Sequence, residues 1–179
     1  SNVVTGLADA MLDSTPVVVI TGQVNSALLG TSAFQEVDVI GITKPITKWN
    51  YQVKKAEDLP GAGSKAFHIA SSGRPGPVLV DITKDAQMGK LEYSYQKHEA
   101  EAGSEASGED VTEMLDEAAQ LINLAKRPLA LIGQGVLLAG AEKELLKFLE
   151  KTGIPVAWTI LGQSAVPSGH RLNMGMLGM

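Results

Sequence analysis

Four β-branched residues in a row, Val17, Val18, Val19 and Ile20, run into Thr21-Gly22-Gln23 and then into a polar stretch carrying Phe34, Gln35 and Glu36. Such a run suits a strand covered on both faces, the situation of parallel sheets clothed by helices. It predicts a strand over Pro16–Val24 that breaks at the Gly-Gln turn, with a short helix opening at Phe34. Gly22 and Gly30 let the connecting backbone bend or approach a ligand closely. From the pattern alone this is an ordinary strand-to-helix connection, and it is also how a binding loop is built.

The rest of the chain keeps that rhythm. Val4, Ala8, Met11 and Leu12 form a helical stripe that Asn2 is placed to cap. Val39 to Ile42 and Asn50 to Val53 are short extended candidates. Ala62, Ala66, Ile69 and Ala70 mark a helix starting near Asp58-Leu59-Pro60, and Pro77 to Ile82 gives another apolar strand. Met114, Ala118, Leu121, Ile122 and Ala125 form a further stripe. Pro128 to Ile132 reads as a strand, Ala141 to Leu149 as a helix ended by Gly153, and Pro155 to Ile160 as a strand. Between the two halves, KHEAEAGSEASGED (97–110) is acidic and free of large apolar residues, the composition of an exposed connector. The expected architecture is α/β, with parallel sheets in two units on either side of that connector.

Composition removes several function classes. Net charge is −5 and the basic residues are scattered singly, so no footprint for nucleic acid appears. There is no cysteine, which excludes disulfides, thiolate metal sites and a Cys nucleophile. No apolar run reaches the roughly 18 residues of a membrane span, and no basic segment followed by an apolar one opens the chain. A cytoplasmic protein without a membrane partner is expected. His68, His98 and His170 have no metal partner at ligand spacing, and no Ser-His-Asp set presents itself. The helix-like opening at Ser1-Asn2 and the unmarked close at Leu177-Gly178-Met179 read as a segment cut from something longer.

Three places invite chemistry. Gly133-Gln134-Gly135 lies between a strand and a helix, where doubly wound sheets bind phosphate groups, although a plain tight turn has the same pattern. Arg74, in Ser72-Gly73-Arg74-Pro75-Gly76-Pro77, is held in a rigid turn before a strand or else is a solvated loop arginine. Lys84-Asp85 after the Pro77 strand is open to an acid–base reading, with a sheet-end ion pair the commoner case. A cation-on-ring reading of Lys48 with Trp49 is poor, because successive strand residues point to opposite faces.

The wording of TGQV, AFQEVD, ITKPITKWN and GRPGPVLVDITKD, in that order, resembles the large catalytic subunit of acetolactate synthase, also called acetohydroxyacid synthase. The resemblance runs through nearly the whole chain and matches the acidic stretch least. It implies a thiamine-diphosphate enzyme with Mg²⁺ and FAD that condenses two pyruvates, or pyruvate and 2-oxobutanoate, with loss of CO₂ in branched-chain amino-acid biosynthesis. It implies that residues 1–96 are the second half of a pyrimidine-binding domain, 97–110 a linker and 111–179 the first half of a middle, FAD-binding domain. Phe34 and Gln35 then match the pair that reaches the active centre across a subunit interface; a core Phe with a capping Gln is the alternative. Ala33, Lys84 and Asn25 match the substrate channel, Asn25 and Thr83 both standing where the family often has proline. Arg74, Gly133, Gln134, Gly135, Thr159, Ile160, Leu177, Gly178 and Met179 match FAD-contacting segments, with Gln134 departing from the usual glycine.

The implied partners are a second copy of the catalytic subunit in a homodimer or tetramer, a small regulatory subunit and 2-oxo acids. The glutamate that protonates the thiamine pyrimidine and the Gly-Asp-Gly motif that holds Mg²⁺ fall outside these residues, so the isolated chain is expected to be inactive. A related carboligase such as glyoxylate carboligase, or a non-catalytic flavin-binding or interaction module, are the alternatives.

Overall fold

The computed structural model describes residues 2–95, 98 and 111–178, so most of the acidic connector and Met179 lie outside the described residues. The chain divides into two compact units, residues 1–107 and 108–179. In the first, α1 (Val3–Leu12), β1 (Val17–Gln23), α2 (Val39–Thr43), β2 (Trp49–Val53), α3 (Leu59–Ser71), β3 (Pro77–Thr83) and α4 (Lys84–Met88) follow in order. In the second come α5 (Thr112–Leu124), β4 (Ala130–Ile132), α6 (Gly135–Leu138), α7 (Glu142–Thr152), β5 (Val156–Trp158) and β6 (Asn173–Met176). Each unit is a three-stranded parallel sheet with helices, in the order β1-β3-β2 and β4-β5-β6. The α/β reading holds.

In the first unit the apolar load falls on the central strand. Val78, Leu79 and Val80 of β3 are buried, and Val78 and Val80 pack with Val53, Ala62, Ala66 and Ala70. Burying a Val or Leu side chain contributes roughly 1.5–3 kcal/mol, and the alanines of α3 let helix and sheet approach closely. The β-branched run of β1, expected to be covered on both faces, instead flanks the sheet, and Ile20 is 67% exposed. Val17, Val18 and Val19 are half-buried and Val18 packs on the core, so cover is partial and stops short of Ile20, which the run of apolar letters does not reveal.

Two other expectations fail for local reasons. No helix opens at Phe34; the 31–38 segment is made of turns, with Ser32 (φ 57°) and Gln35 (φ 65°) in the left-handed region. The helix starts at Val39 instead, in the segment read as extended, because the Asp38 carboxylate accepts the Gly41 amide at 2.9 Å and caps it. Asn2 is itself helical and makes no side-chain cap.

Lys48 donates to the Ile69 and Ser72 carbonyls, the latter at 2.6 Å, and so closes the end of α3. The cation that does face Trp49 is Lys65, 5.4 Å from the ring centroid, while Trp49 and Tyr51 stack at 5.5 Å on one face of β2. In the second unit Ile132, Leu149, Val156, Trp158, Ala165 and Val166 form the core, and Gly153 ends α7 in the left-handed conformation expected of it.

Candidate functional site

The carboxyl ends of β1 and β3 lie side by side, with Gln23 in register with Thr83. The loops that leave those ends enclose a cleft of about 470 Å³ lined by Gly22, Gln23, Val24, Asn25, Leu28, Gln35, Lys84, Asp85 and Met88. Open α/β sheets place ligands at this position. Of the residues singled out from the sequence, Gln35, Lys84 and Asn25 meet here; Ala33 and Phe34 do not line it. Phe34 is 89% exposed, which overturns the alternative of a core phenylalanine.

The loop is held by polar side chains rather than by packing. Asn25 accepts the Ala27 amide at 3.2 Å and caps a 3-10 turn over Ser26–Leu28. Asp85 accepts both the amide (2.9 Å) and the hydroxyl of Ser26, and those bonds hold its carboxyl well below the usual carboxylate range. The sheet-end pair between Lys84 and Asp85 is therefore not formed: Asp85 turns to the neighbouring loop. Glu36 accepts the amides of Gly30 and, at 3.3 Å, Ala33, tightening the turn that presents Phe34 and Gln35. Thr83, at φ −67°, already has the torsion to which proline is locked, so that departure from the family pattern leaves the backbone path unchanged.

Chemically, the cleft offers an ammonium group from Lys84 and amides from Gln35 and Asn25 beside an apolar wall of Val24, Leu28 and Met88. That mixture suits a small anion with a short apolar tail. Asp85 brings an opposing charge to the cleft wall, with its two oxygens directed to Ser26. Sequence reasoning missed Gln23, Ser26, Leu28, Asp85 as a loop anchor and Met88. The overlooked sign was Asp81, a charged residue inside what reads as an apolar strand and 0% exposed.

In the second unit, Gly133-Gln134-Gly135, Thr159-Ile160 and Leu177-Gly178 each follow the carboxyl end of one of the adjacent strands β4, β5 and β6. Backbone bonds tie them: the Thr159 amide donates to the Ile132 carbonyl at 2.9 Å, and Leu177 to Trp158 at 3.0 Å. A methyl group built on Gly133 or Gly135 meets nothing within 4 Å, so a ligand has room against that backbone. Arg74 stands at the amino end of β3 instead. Its Nε donates to Ser14 Oγ at 2.7 Å and its Nη2 to the Leu12 carbonyl at 3.2 Å, capping the end of α1.

Comparison with known proteins matches residues 1–42 to the N-terminal TPP binding domain of thiamine pyrophosphate enzymes, and residues 115–179 to the central domain of the same enzymes. The chain belongs to that family. Within it, all 179 residues align at 47% identity with an acetolactate synthase of Mycobacterium bovis and at 48% with the acetolactate synthase large subunit of Corynebacterium glutamicum. The large subunit of acetolactate synthase isozyme 1 of Escherichia coli aligns over the same full length at 46%. The chain spans 29–31% of the length of these relatives. No helix among the described residues is long and apolar enough to cross a membrane.

Proposed function

We propose that this chain is part of an acetolactate synthase catalytic subunit, which joins two pyruvates, or pyruvate and 2-oxobutanoate, with release of CO₂. The observation that carries the reading is the unbroken match of all 179 residues to acetolactate synthase large subunits at 46–48% identity. The cleft at the ends of β1 and β3 is compatible with it, since an anion with a short apolar tail describes a 2-oxo acid.

Thiamine diphosphate, when bound, supplies the electron sink for decarboxylation. The chain's own residues do the rest of what is assigned here. Lys84 draws the substrate carboxylate toward the sheet end, and Leu28 and Met88 keep water from its alkyl group. The Gln35 amide donates to the oxygen on which charge develops. The exposed Phe34 and its neighbour Gln35 are the pair offered across the interface with a second copy of the subunit, the phenylalanine packing on substrate. Asn25 shapes the channel wall.

FAD belongs to the proposal through the second unit. Three loop segments gathered at adjacent carboxyl strand ends, with open space over Gly133 and Gly135, support it. Arg74 keeps only part of its guanidinium for the flavin, because Ser14 and Leu12 engage Nε and Nη2. Mg²⁺ enters through the cofactor diphosphate. Among the described residues no group of three or more His, Asp or Glu converges on a metal position. A cytoplasmic location, a homodimer and a small regulatory subunit complete the reading.

The test is Gln35→Ala in the whole enzyme. Loss of one donor to developing charge lowers turnover on the order of 10²-fold, and thiamine diphosphate affinity stays within about a factor of two. Wild-type turnover with weakened cofactor binding sinks the role given to Gln35.

A further inference from the structure

Asp81 sits mid-way along the central strand of the first sheet, fully buried, and receives hydrogen bonds from both neighbouring strands. Thr21 Oγ1 donates at 2.7 Å, Gln52 Nε2 at 3.0 Å and Gln23 Nε2 at 3.2 Å. A carboxylate among apolar strand residues costs several kcal/mol unless its oxygens are satisfied, and here neutral donors satisfy them. Gln23 uses the rest of its amide elsewhere. Its Nε2 also donates to the Val37 carbonyl at 2.8 Å, and its Oε1 accepts the Val24 amide at 2.9 Å.

One buried side chain, 8% exposed, therefore clasps both ends of the 24–37 loop. That loop contains Gly30, Ser32 and Gln35 at positive φ, and two of the three are not glycine. Residues in that region cost of order 1–3 kcal/mol and persist only where the surroundings over-determine them. Glu36 and Asp85 restrain the middle and the start of the loop. Among the described residues only Gln23 hydrogen-bonds to both ends, and Asp81 fixes the rotamer from which it does so.

We propose that Gln23, held by Asp81, is a positioning residue that sets the place of Gln35 in the cleft. The inference rests on the reading of Gln35 as the group acting on substrate. Gln23 touches no reacting atom in this scheme; it acts through the loop.

The experiment uses the whole enzyme. Gln23→Met keeps length and removes both polar functions, while Thr21 and Gln52 continue to satisfy Asp81. Turnover is expected to fall on the order of 10²-fold, as a displacement of about 1 Å would cause. Amide exchange in residues 24–37 should quicken with the rest of the sheet unchanged. The double variant Gln23→Glu with Asp81→Asn separates positioning from plain stability. The introduced Asn amide donates to the introduced carboxylate and restores the link between strands, with Gln52 turning its amide to suit, yet that carboxylate has no proton for the Val37 carbonyl. Melting temperature should recover relative to Asp81→Asn alone while turnover does not. Turnover that recovers along with melting temperature overturns the proposal, as does Gln23→Met with wild-type turnover and unchanged exchange. Gln35→Ala in the same assay separates the two layers. If it leaves turnover intact, the reading of Gln35 falls, and the exchange of residues 24–37 alone then decides whether Gln23 holds the loop.

Discussion

Gly162→Ala is expected to destabilise the second unit by about 1–3 kcal/mol, the usual cost of forcing a methyl group into a packed site. Gly162 is buried, and a Cβ there would stand 2.6 Å from the Ile132 carbonyl oxygen and 3.1 Å from the carbonyl carbon of Gly133. Both obstacles are backbone, so no side chain can swing aside. The strand end is also pinned, since the same Ile132 oxygen accepts the Thr159 amide at 2.9 Å and Gly162 itself donates to Thr159 at 2.9 Å. Relief therefore requires moving the end of β4 or breaking the turn. At roughly 4–8 °C per kcal/mol for a unit of this size, the melting temperature of the second unit should drop by about 4–24 °C. Trp158 on β5 and Trp49 on β2 are the two tryptophans, one in each unit. Loss of tertiary signal from Trp158, read in a Trp49→Phe background, gives the stability of the second unit. Gly133→Ala and Gly135→Ala are the controls. Neither glycine has positive φ and neither new methyl meets an atom within 4 Å, so stability should stay within about 1 kcal/mol. An unchanged melting temperature for Gly162→Ala refutes the close approach, and a Gly133→Ala loss of equal size refutes the open turn. If Gly133→Ala keeps stability but weakens FAD binding in the whole enzyme, the flavin reading gains an independent support.

Two further outcomes are expected. Because Ser26 holds the Asp85 carboxyl below its ordinary value, the tether stabilises the fold above the unfolded carboxylate value of about 4 and is lost only as pH falls through the lower folded value. Exchange of the Ser26 amide should stay slow at pH about 4, and release of that amide between pH 5 and 4 contradicts the assignment. Arg74→Ala removes two donors from the end of α1 and should lower stability by about 0.5–1.5 kcal/mol by urea midpoint, with Arg74→Lys restoring only part; an unaltered midpoint means the guanidinium is free for a ligand instead.

What the sequence made legible follows from the kind of physics each feature obeys. Helices α1, α3, α5 and α7 were readable because periodic burial writes itself into spacing, and strands β1 to β5 because short apolar or extended runs stand out between turns. Strand β6, with the sequence Asn-Met-Gly-Met, has no such spacing; it exists because β5 offers an edge to pair with. Helix α2 was misread because Val39 to Ile42 look like a strand, and a single carboxylate at Asp38 decides otherwise. The turns around Phe34 were misread for a related reason: amphipathic wording cannot show that Glu36 will bond back to Gly30 and Ala33. At the site, Gln35, Lys84 and Asn25 came from resemblance, and their meeting in one cleft is a property of the parallel register of β1 and β3.

The two halves of the site reading stand on unequal ground, and the difference is geometric. The cleft residues and the loops after β4, β5 and β6 all lie at carboxyl strand ends, where the parallel arrangement leaves a crevice and backbone amides face it. Arg74 lies at the opposite, amino end of its strand, where that general argument does not reach. It is also the residue whose conformation has a sufficient explanation without any ligand. The left-handed Ser14 (φ 55°) carries the chain out of α1, and Arg74 bonds both that residue's hydroxyl and the Leu12 carbonyl. Gly133 and Gly135 have no comparable structural reason, since no close approach and no positive φ demands glycine at either position. An open glycine turn at a carboxyl strand end leaves room for a ligand against the backbone, and so the flavin proposal rests on that turn more than on the arginine.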